Sequence, residues 1–242
     1  MSLAGEMRVF WSLLRGGGKG GSQRDRLEHF YALQADQYDR YRERLLHGRS
    51  ELISRLEIAP GSHIAEIGGG TGRNLEFFGE RIKTFASVEL VDFCPSLLKQ
   101  AQKRIERQGW TNVQTVDADA TQYKGDGTLL DAVYCSYSLT MIPDWFCAME
   151  RILERLRPGG IFGVVDFHLP RKHAPVGRDR MSALGRAFWR AFFGHDDVVL
   201  SLDQLAWLER HLETVYLSEH RGPLPWLPML RAPYYIFIGR KS

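Results

Sequence analysis

Between Ser62 and Phe167 short apolar runs alternate with amphipathic stretches, and this alternation constrains the fold more than any other feature. Ser62–Ile67, Phe85–Val91, Val113–Val116, Leu130–Ser136 and Ile161–Phe167 read as strands. Asn74–Arg81, Pro95–Gln108 and Trp145–Leu156 read as helices between them, and the Pro60-Gly61 and Pro158-Gly159-Gly160 turn signals precede the first and fifth strands. Strands separated by helices of this length pair in parallel, through right-handed crossovers. The end of the chain breaks the rule. Thr214–Ser218 and Tyr234–Gly239 are joined by a Pro-rich loop, which predicts an antiparallel pair. The expected architecture is α/β: a doubly wound, mostly parallel sheet with helices on both faces and a C-terminal antiparallel strand pair.

With 242 residues, 44% of them hydrophobic, the chain has material for one large core. Residues 1–24 carry the run Gly16-Gly17-Gly18-Lys19-Gly20-Gly21 and are expected to form a flexible tail, leaving 25–242 as the domain. Asp25–Leu56 has a helical pattern, with Leu27, Phe30 and Tyr31 and then Tyr38, Tyr41 and Leu45 at helical spacing. The apolar patch Val9–Leu14 is too short for a secretory segment, so a cytoplasmic location is expected. Three widely spaced cysteines form neither a disulfide framework nor a metal-ligand pattern, and no metal site is expected. A net charge of +3 permits an anionic partner without requiring one.

The chemistry is concentrated in Glu66-Ile67-Gly68-Gly69-Gly70-Thr71-Gly72, between a strand and a helix, where a doubly wound fold holds its ligand. Every register of the dinucleotide fingerprint G-x-G-x-x-G fails, because Arg73, Thr71 or Leu75 falls where glycine is required. A phosphate loop fails for want of Lys-Ser/Thr. What remains is an acidic residue followed by glycines at alternate positions. Asp92, at the end of the second strand, can accept from both hydroxyls of a ribose, as the acid does in the dinucleotide fold. It also reads as a cap for the helix beginning near Pro95, and Glu89 is a rival acid.

Glu66–Gly72 resembles the first motif of the Rossmann-like S-adenosylmethionine-dependent methyltransferases. The resemblance implies that S-adenosylmethionine is the cofactor, that Gly68, Gly69 and Gly70 approach it closely, and that Glu66 faces its methionine end. It implies that Phe93 flanks the adenine, that Asp119 accepts from the adenine amino group, and that the Ala120 N–H meets a ring nitrogen. Asp117 competes with Asp119. Asp131–Ser136 resembles the fourth motif, which adds Ser136 to the cofactor set, and Leu156–Gly160 resembles the turn before the fifth strand. The N-terminal helix, with Tyr31 and Tyr38, would form a lid over the methyl donor, and Arg49 is a candidate partner for the cofactor carboxylate.

The methyl acceptor is expected among segments outside these motifs. Tyr137, Ser138, Met141 and Trp145 follow the fourth strand, and His168, a candidate general base, follows the fifth. Tyr31, Tyr137 and Trp189 could face a growing ammonium with their rings. Phe188–Ser201 and Leu224–Arg240 resemble the N-methyltransferases of betaine-lipid synthesis, which implies a diacylglyceryl-homoserine lipid as acceptor. Another small-molecule amine, a quinone-type ring carbon, or a cofactor-binding sensor without catalysis are the alternatives. Val176–Gly194 is basic and aromatic, with Met181, Leu184, Phe188 and Phe192 on one helical face, and is expected to touch an anionic membrane peripherally. No nucleic-acid partner is expected, since the chain lacks a separate strongly basic domain.

Overall fold

The computed structural model describes residues 43–194, 198–225, 227 and 229–242. The expected glycine-rich tail, and the helix carrying Tyr31 and Tyr38, lie outside the described residues. Helix α1 (Arg49–Arg55) leads into β1 (His63–Ile67), the 3-10 segment η1 (Arg73–Thr84), β2 (Ser87–Asp92), α2 (Pro95–Gln108) and β3 (Val113–Asp117). Then come β4 (Leu130–Ser136), a short turn η2 (Leu139–Met141), α3 (Trp145–Arg155) and β5 (Leu156–Phe167). Helices α4 (Ala183–Gly194) and α5 (Gln204–His211) precede β6 (Glu213–Pro223) and β7 (Arg231–Arg240).

The seven strands form one sheet in the order β3-β2-β1-β4-β5-β7-β6. Pairs from β3 through β5 are parallel, whereas β7 runs antiparallel to both β5 and β6. Strand order therefore reverses between β1 and β4, and a crevice opens at the carboxyl ends of these strands. Each face of the sheet carries its own core. Leu52 and Ile53 of α1, Leu75 and Ile82 of η1, and Leu98 and Ile105 of α2 pack on one face. Ala148 and Ile152 of α3, with Leu205 and Leu208 of α5, cover the other.

Local chemistry explains most boundaries. Pro95 opens α2, where its missing N–H is harmless, and Gly109 closes it at φ 64°. The carboxylate of Asp144 accepts the Cys147 N–H at the start of α3. Two expected elements differ. The helix after the glycine turn is a 3-10 segment broken at Gly79, whose φ of 56° is non-helical. Pro158–Gly160 lies inside β5, where pairing with β4 shifts register between Leu130 and Ala132. A bulge absorbs these residues without ending the strand.

Helix α4 is turned differently from the sequence expectation. Trp189 and Phe193 are buried, and Phe192 packs partly against the core. Leu184 is 84% exposed and Phe188 44%. The buried side is thus the Trp189 side, and the expected apolar face is split between core and solvent.

Candidate active site

A cleft of about 100 Å³ lies over the carboxyl ends of β1, β2, β3 and β4. Gly68 and Gly70 form its floor, at φ 70° and 57°. The loop is tied to the next strand, since the Gly68 and Gly69 N–H groups donate to the Val91 carbonyl at 2.8 and 3.0 Å. A Cβ on Gly68 would stand 2.3 Å from the Ser138 Cβ, so only glycine lets β1 and the β4 loop close around the cleft.

Asp92 and Asp119 reach the same cleft from neighbouring strand ends, with Phe93 and Ala120 beside them. Asp92 joins two loops: its Oδ2 accepts the Gly70 N–H at 2.8 Å and its Oδ1 the Cys94 N–H at 2.9 Å. One carboxylate thus orders two loops at the edge of the cleft. Asp119 accepts the Thr121 N–H and hydroxyl, both on Oδ1. The rivals stand elsewhere. Asp117 is exposed, and Glu89 is buried, accepting the Tyr123 hydroxyl at 2.5 Å beside Arg155 at 3.8 Å.

Other expected site residues lie behind the cleft wall. Glu66 is fully buried and accepts from Asn74 Nδ2 at 2.6 Å and the Tyr134 hydroxyl at 2.9 Å. Arg49 Nη1 in turn donates to Asn74 Oδ1 at 3.1 Å. Burial, with the Glu66 carboxylate alongside, holds the Tyr134 hydroxyl well above its usual range, so it stays a donor. Arg49, Asn74, Glu66 and Tyr134 thus form one buried relay that braces the glycine loop. Gly69 faces away, its Cβ position 2.4 Å from Leu90 Cδ1. Ser136 is buried, with no described partner for its hydroxyl, and lies outside the lining.

Tyr137, Ser138 and Met141 form the wall on the β4 side. Tyr137 is the one non-glycine residue with positive φ among those described, at 55°. Such strain persists where the surroundings over-determine it, and is common at functional sites. Here the Tyr137 N–H donates to the Val165 carbonyl, its hydroxyl donates to the His47 carbonyl at 2.7 Å, and its ring meets Phe167 at 4.6 Å. Burial pushes its hydroxyl well above the usual range. The next residue is also spoken for: Ser138 Oγ donates to the Ile67 carbonyl.

His168 is not in this cleft. It is buried in a separate cavity near β6, where burial pushes its imidazole down to about 3. Residues that sequence reasoning misses are Leu97, in the first turn of α2, and Ile142, both lining the cleft, and Asn74 in the relay. The only signal for Leu97 is its place at the start of an apolar helix face.

Comparison with known proteins agrees with this geometry. Residues 64–160 match the family described as Methyltransferase domain. The ubiquinone/menaquinone biosynthesis C-methyltransferase of Ectopseudomonas mendocina is 30% identical over 149 residues, covering 59% of this chain and 58% of that enzyme. The chain spans 41% to 58% of the length of the first curated relatives it matches. Among solved structures, the YcgJ protein from Bacillus subtilis aligns at a TM-score of 0.65 and 14% identity, over 81% of this chain and 98% of that one. Phosphoethanolamine N-methyltransferase 2 of Haemonchus contortus, solved with S-adenosyl-L-methionine, aligns at 0.69 and 14%, over 92% of this chain and 60% of that one. Residues 64–160 therefore resemble a methyltransferase domain, and the sheet shares the fold of these solved structures.

Proposed function

We propose that the protein transfers the methyl group of S-adenosylmethionine to the amine of a diacylglyceryl-homoserine lipid, forming a betaine lipid. The observation that carries the methyl-transfer part is the convergence of Asp92, Asp119 and the left-handed Gly68 and Gly70 on one cleft. The acceptor rests on the resemblance of Phe188–Ser201 and Leu224–Arg240 to betaine-lipid N-methyltransferases.

The cleft residues suit the cofactor. Asp92 would take the ribose hydroxyls, Phe93 would flank the adenine, and Asp119 with the Ala120 N–H would read its edge. Bound there, S-adenosylmethionine supplies an electrophilic sulfonium methyl group. The chain's own contribution is positioning, which is worth about 7–11 kcal/mol in well-oriented reactions. The Tyr137 hydroxyl is committed to the His47 carbonyl, so this residue offers the acceptor its ring. Neither Tyr137 nor His168 is placed as a base, and the amine must arrive unprotonated.

A second reading is supported by the relative named a ubiquinone/menaquinone biosynthesis C-methyltransferase, and takes a quinone-type ring carbon as acceptor. The deciding experiment incubates the protein with labelled cofactor and either diacylglyceryl-homoserine lipid or a demethylated quinone, followed by mass spectrometry. The betaine-lipid reading expects one, two and three added methyl groups on the lipid. Label on the quinone alone overturns it, and binding of S-adenosylhomocysteine without any turnover points to a sensor.

A lipid acceptor calls for contact with a membrane surface. No helix of the described residues is long and apolar enough to cross one. Exposed Leu184 and Phe188, with Arg190, Arg171 and Lys172 also exposed, offer a peripheral contact. Cationic groups near an anionic surface add about 1 kcal/mol each.

A further inference from the structure

A second cavity, of about 550 Å³, lies between the end of β5, the segment after it, α5 and β6. Its volume is within the range of about 300–1,000 Å³ common for small-molecule sites. It shares no lining residue with the cofactor cleft. One buried contact joins residues next to both linings. Asp166, fully buried, accepts from the Thr140 hydroxyl at 2.7 Å and the Thr140 N–H at 3.2 Å. Thr140 adjoins Met141 of the cleft, and Asp166 stands two residues before His168 of the second cavity.

The interior of this cavity mixes apolar and polar groups, and its polar groups are incompletely satisfied. His168 is 4% exposed, and its Nε2 has no hydrogen-bond partner among the described residues. Its Nδ1 is 4.0 Å from Glu219, too far for a hydrogen bond. Arg178 Nη2 pairs with Glu209, but its buried Nη1 has only Glu219 at 3.7 Å and no hydrogen bond. Buried polar atoms are nearly always satisfied, and exceptions in a cavity of this size point to a missing partner.

Charge identifies that partner. Arg171, Arg178 and Arg210 face two carboxylates, Glu209 and Glu219, and Arg178 engages both acids. Arg171 and Arg210 are exposed at the cavity. The segment carrying Arg178 is held in place, because Arg221 forks onto both Asp179 oxygens at 2.8 and 2.9 Å and the Asp179 N–H donates to Glu219. A guanidinium cluster on a fixed frame recognises carboxylate or phosphate oxygens.

We propose that this cavity is a second ligand site, which takes a small soluble metabolite bearing a carboxylate or phosphate group on Arg171, Arg178 and Arg210, with a further polar group reaching His168. The site is separate from methyl-donor binding. Its test reads anion binding directly, so its failure and the failure of the methyltransferase reading are distinguishable.

The experiment titrates succinate and inorganic phosphate, separately, into the full chain saturated with S-adenosylhomocysteine, by calorimetry. Saturable binding of either probe is expected, and the probe that binds fixes the anion. Arg171→Ala and Arg210→Ala, both exposed and remote from the core, should each weaken it roughly tenfold, as loss of a charge-assisted contact implies. Affinity for S-adenosylhomocysteine should stay unchanged in both variants. No binding of either probe at millimolar concentration overturns the proposal. So does wild-type affinity for the probe in both arginine variants, or competition between the bound probe and S-adenosylhomocysteine.

Discussion

The two cavities are built in opposite ways. The cofactor cleft is made at strand ends from four short segments, around residues 67–70, 91–97, 118–120 and 137–142, and its floor is backbone. The second cavity gathers long side chains from residues 168–178, 201–210 and 219, and its polar lining is imidazole, guanidinium and carboxylate. Backbone sites tolerate no added bulk and are announced by glycine. Side-chain sites tolerate substitution piecemeal and have no motif, because their members meet only when β6, α5 and the segment after β5 come together.

The largest effect should come from Gly68→Ala. Its Cβ would overpack against Ser138 at a cost of about 1–3 kcal/mol. The left-handed φ of 70° adds about 1–2 kcal/mol. Gly61→Ala, at φ 79° with nothing within 4 Å, should carry the conformational part alone. Urea denaturation separates the two, and equal losses would show that the cleft floor is not tightly packed.

Next in size is Asp92→Ala, which should weaken S-adenosylhomocysteine binding by about 1.5–3 kcal/mol, the range for hydrogen bonds to a charged group. Arg210→Ala, in the other cavity, should leave it unaltered. Undiminished affinity in Asp92→Ala would mean that this carboxylate serves only the Gly70 and Cys94 N–H groups.

The wall between the cavities makes a pH prediction. Burial raises Asp166 from 3.8 to about 6, so between those values the native state holds a proton that the unfolded chain releases. Its contribution to stability falls as pH rises through that window. Burial lowers His168 from 6.5 to about 3, so there the unfolded chain binds the extra proton and stability rises with pH. Each slope is at most about 1.4 kcal/mol per pH unit, and the two oppose each other where the windows overlap. Asp166→Asn should expose the rising slope and His168→Gln the falling one, in urea midpoints measured from pH 4 to pH 6.5. Identical profiles in all three proteins would refute the burial argument.

The smallest effect belongs to α4. Leu184→Ser changes an exposed side chain and should alter stability by no more than about 0.5 kcal/mol. Combined with Phe188→Ser, it should nevertheless remove binding to anionic vesicles. Undiminished vesicle binding would leave α4 without a membrane role.

Much of the cofactor cleft is legible in the amino-acid sequence. Spacing and resemblance single out Gly68, Gly70, Asp92, Phe93, Asp119, Ala120 and Tyr137, and all line one cleft. Each sits within a few residues of a strand end, and strand ends converge in a doubly wound sheet. The same logic selects Glu66, Arg49 and His168, which lie elsewhere, because sequence position does not say which way a side chain turns. Glu66 turns to Asn74, eight residues on, and to Tyr134, sixty-eight residues on.

Alternation of strand and helix determined the parallel sheet, and the Pro-rich link between the last strands determined their antiparallel pairing, since both follow from local period and chain reversal. The glycine turn and the two carboxylates determined where a cofactor would be held. Tertiary packing alone decided that α4 buries Trp189 and leaves Leu184 in solvent. It alone carried His168 away from the cleft at the strand ends and placed it with Arg178 and Glu219. Those outcomes depend on how helices and strands distant in sequence share buried surface, and no periodicity within a single segment encodes that.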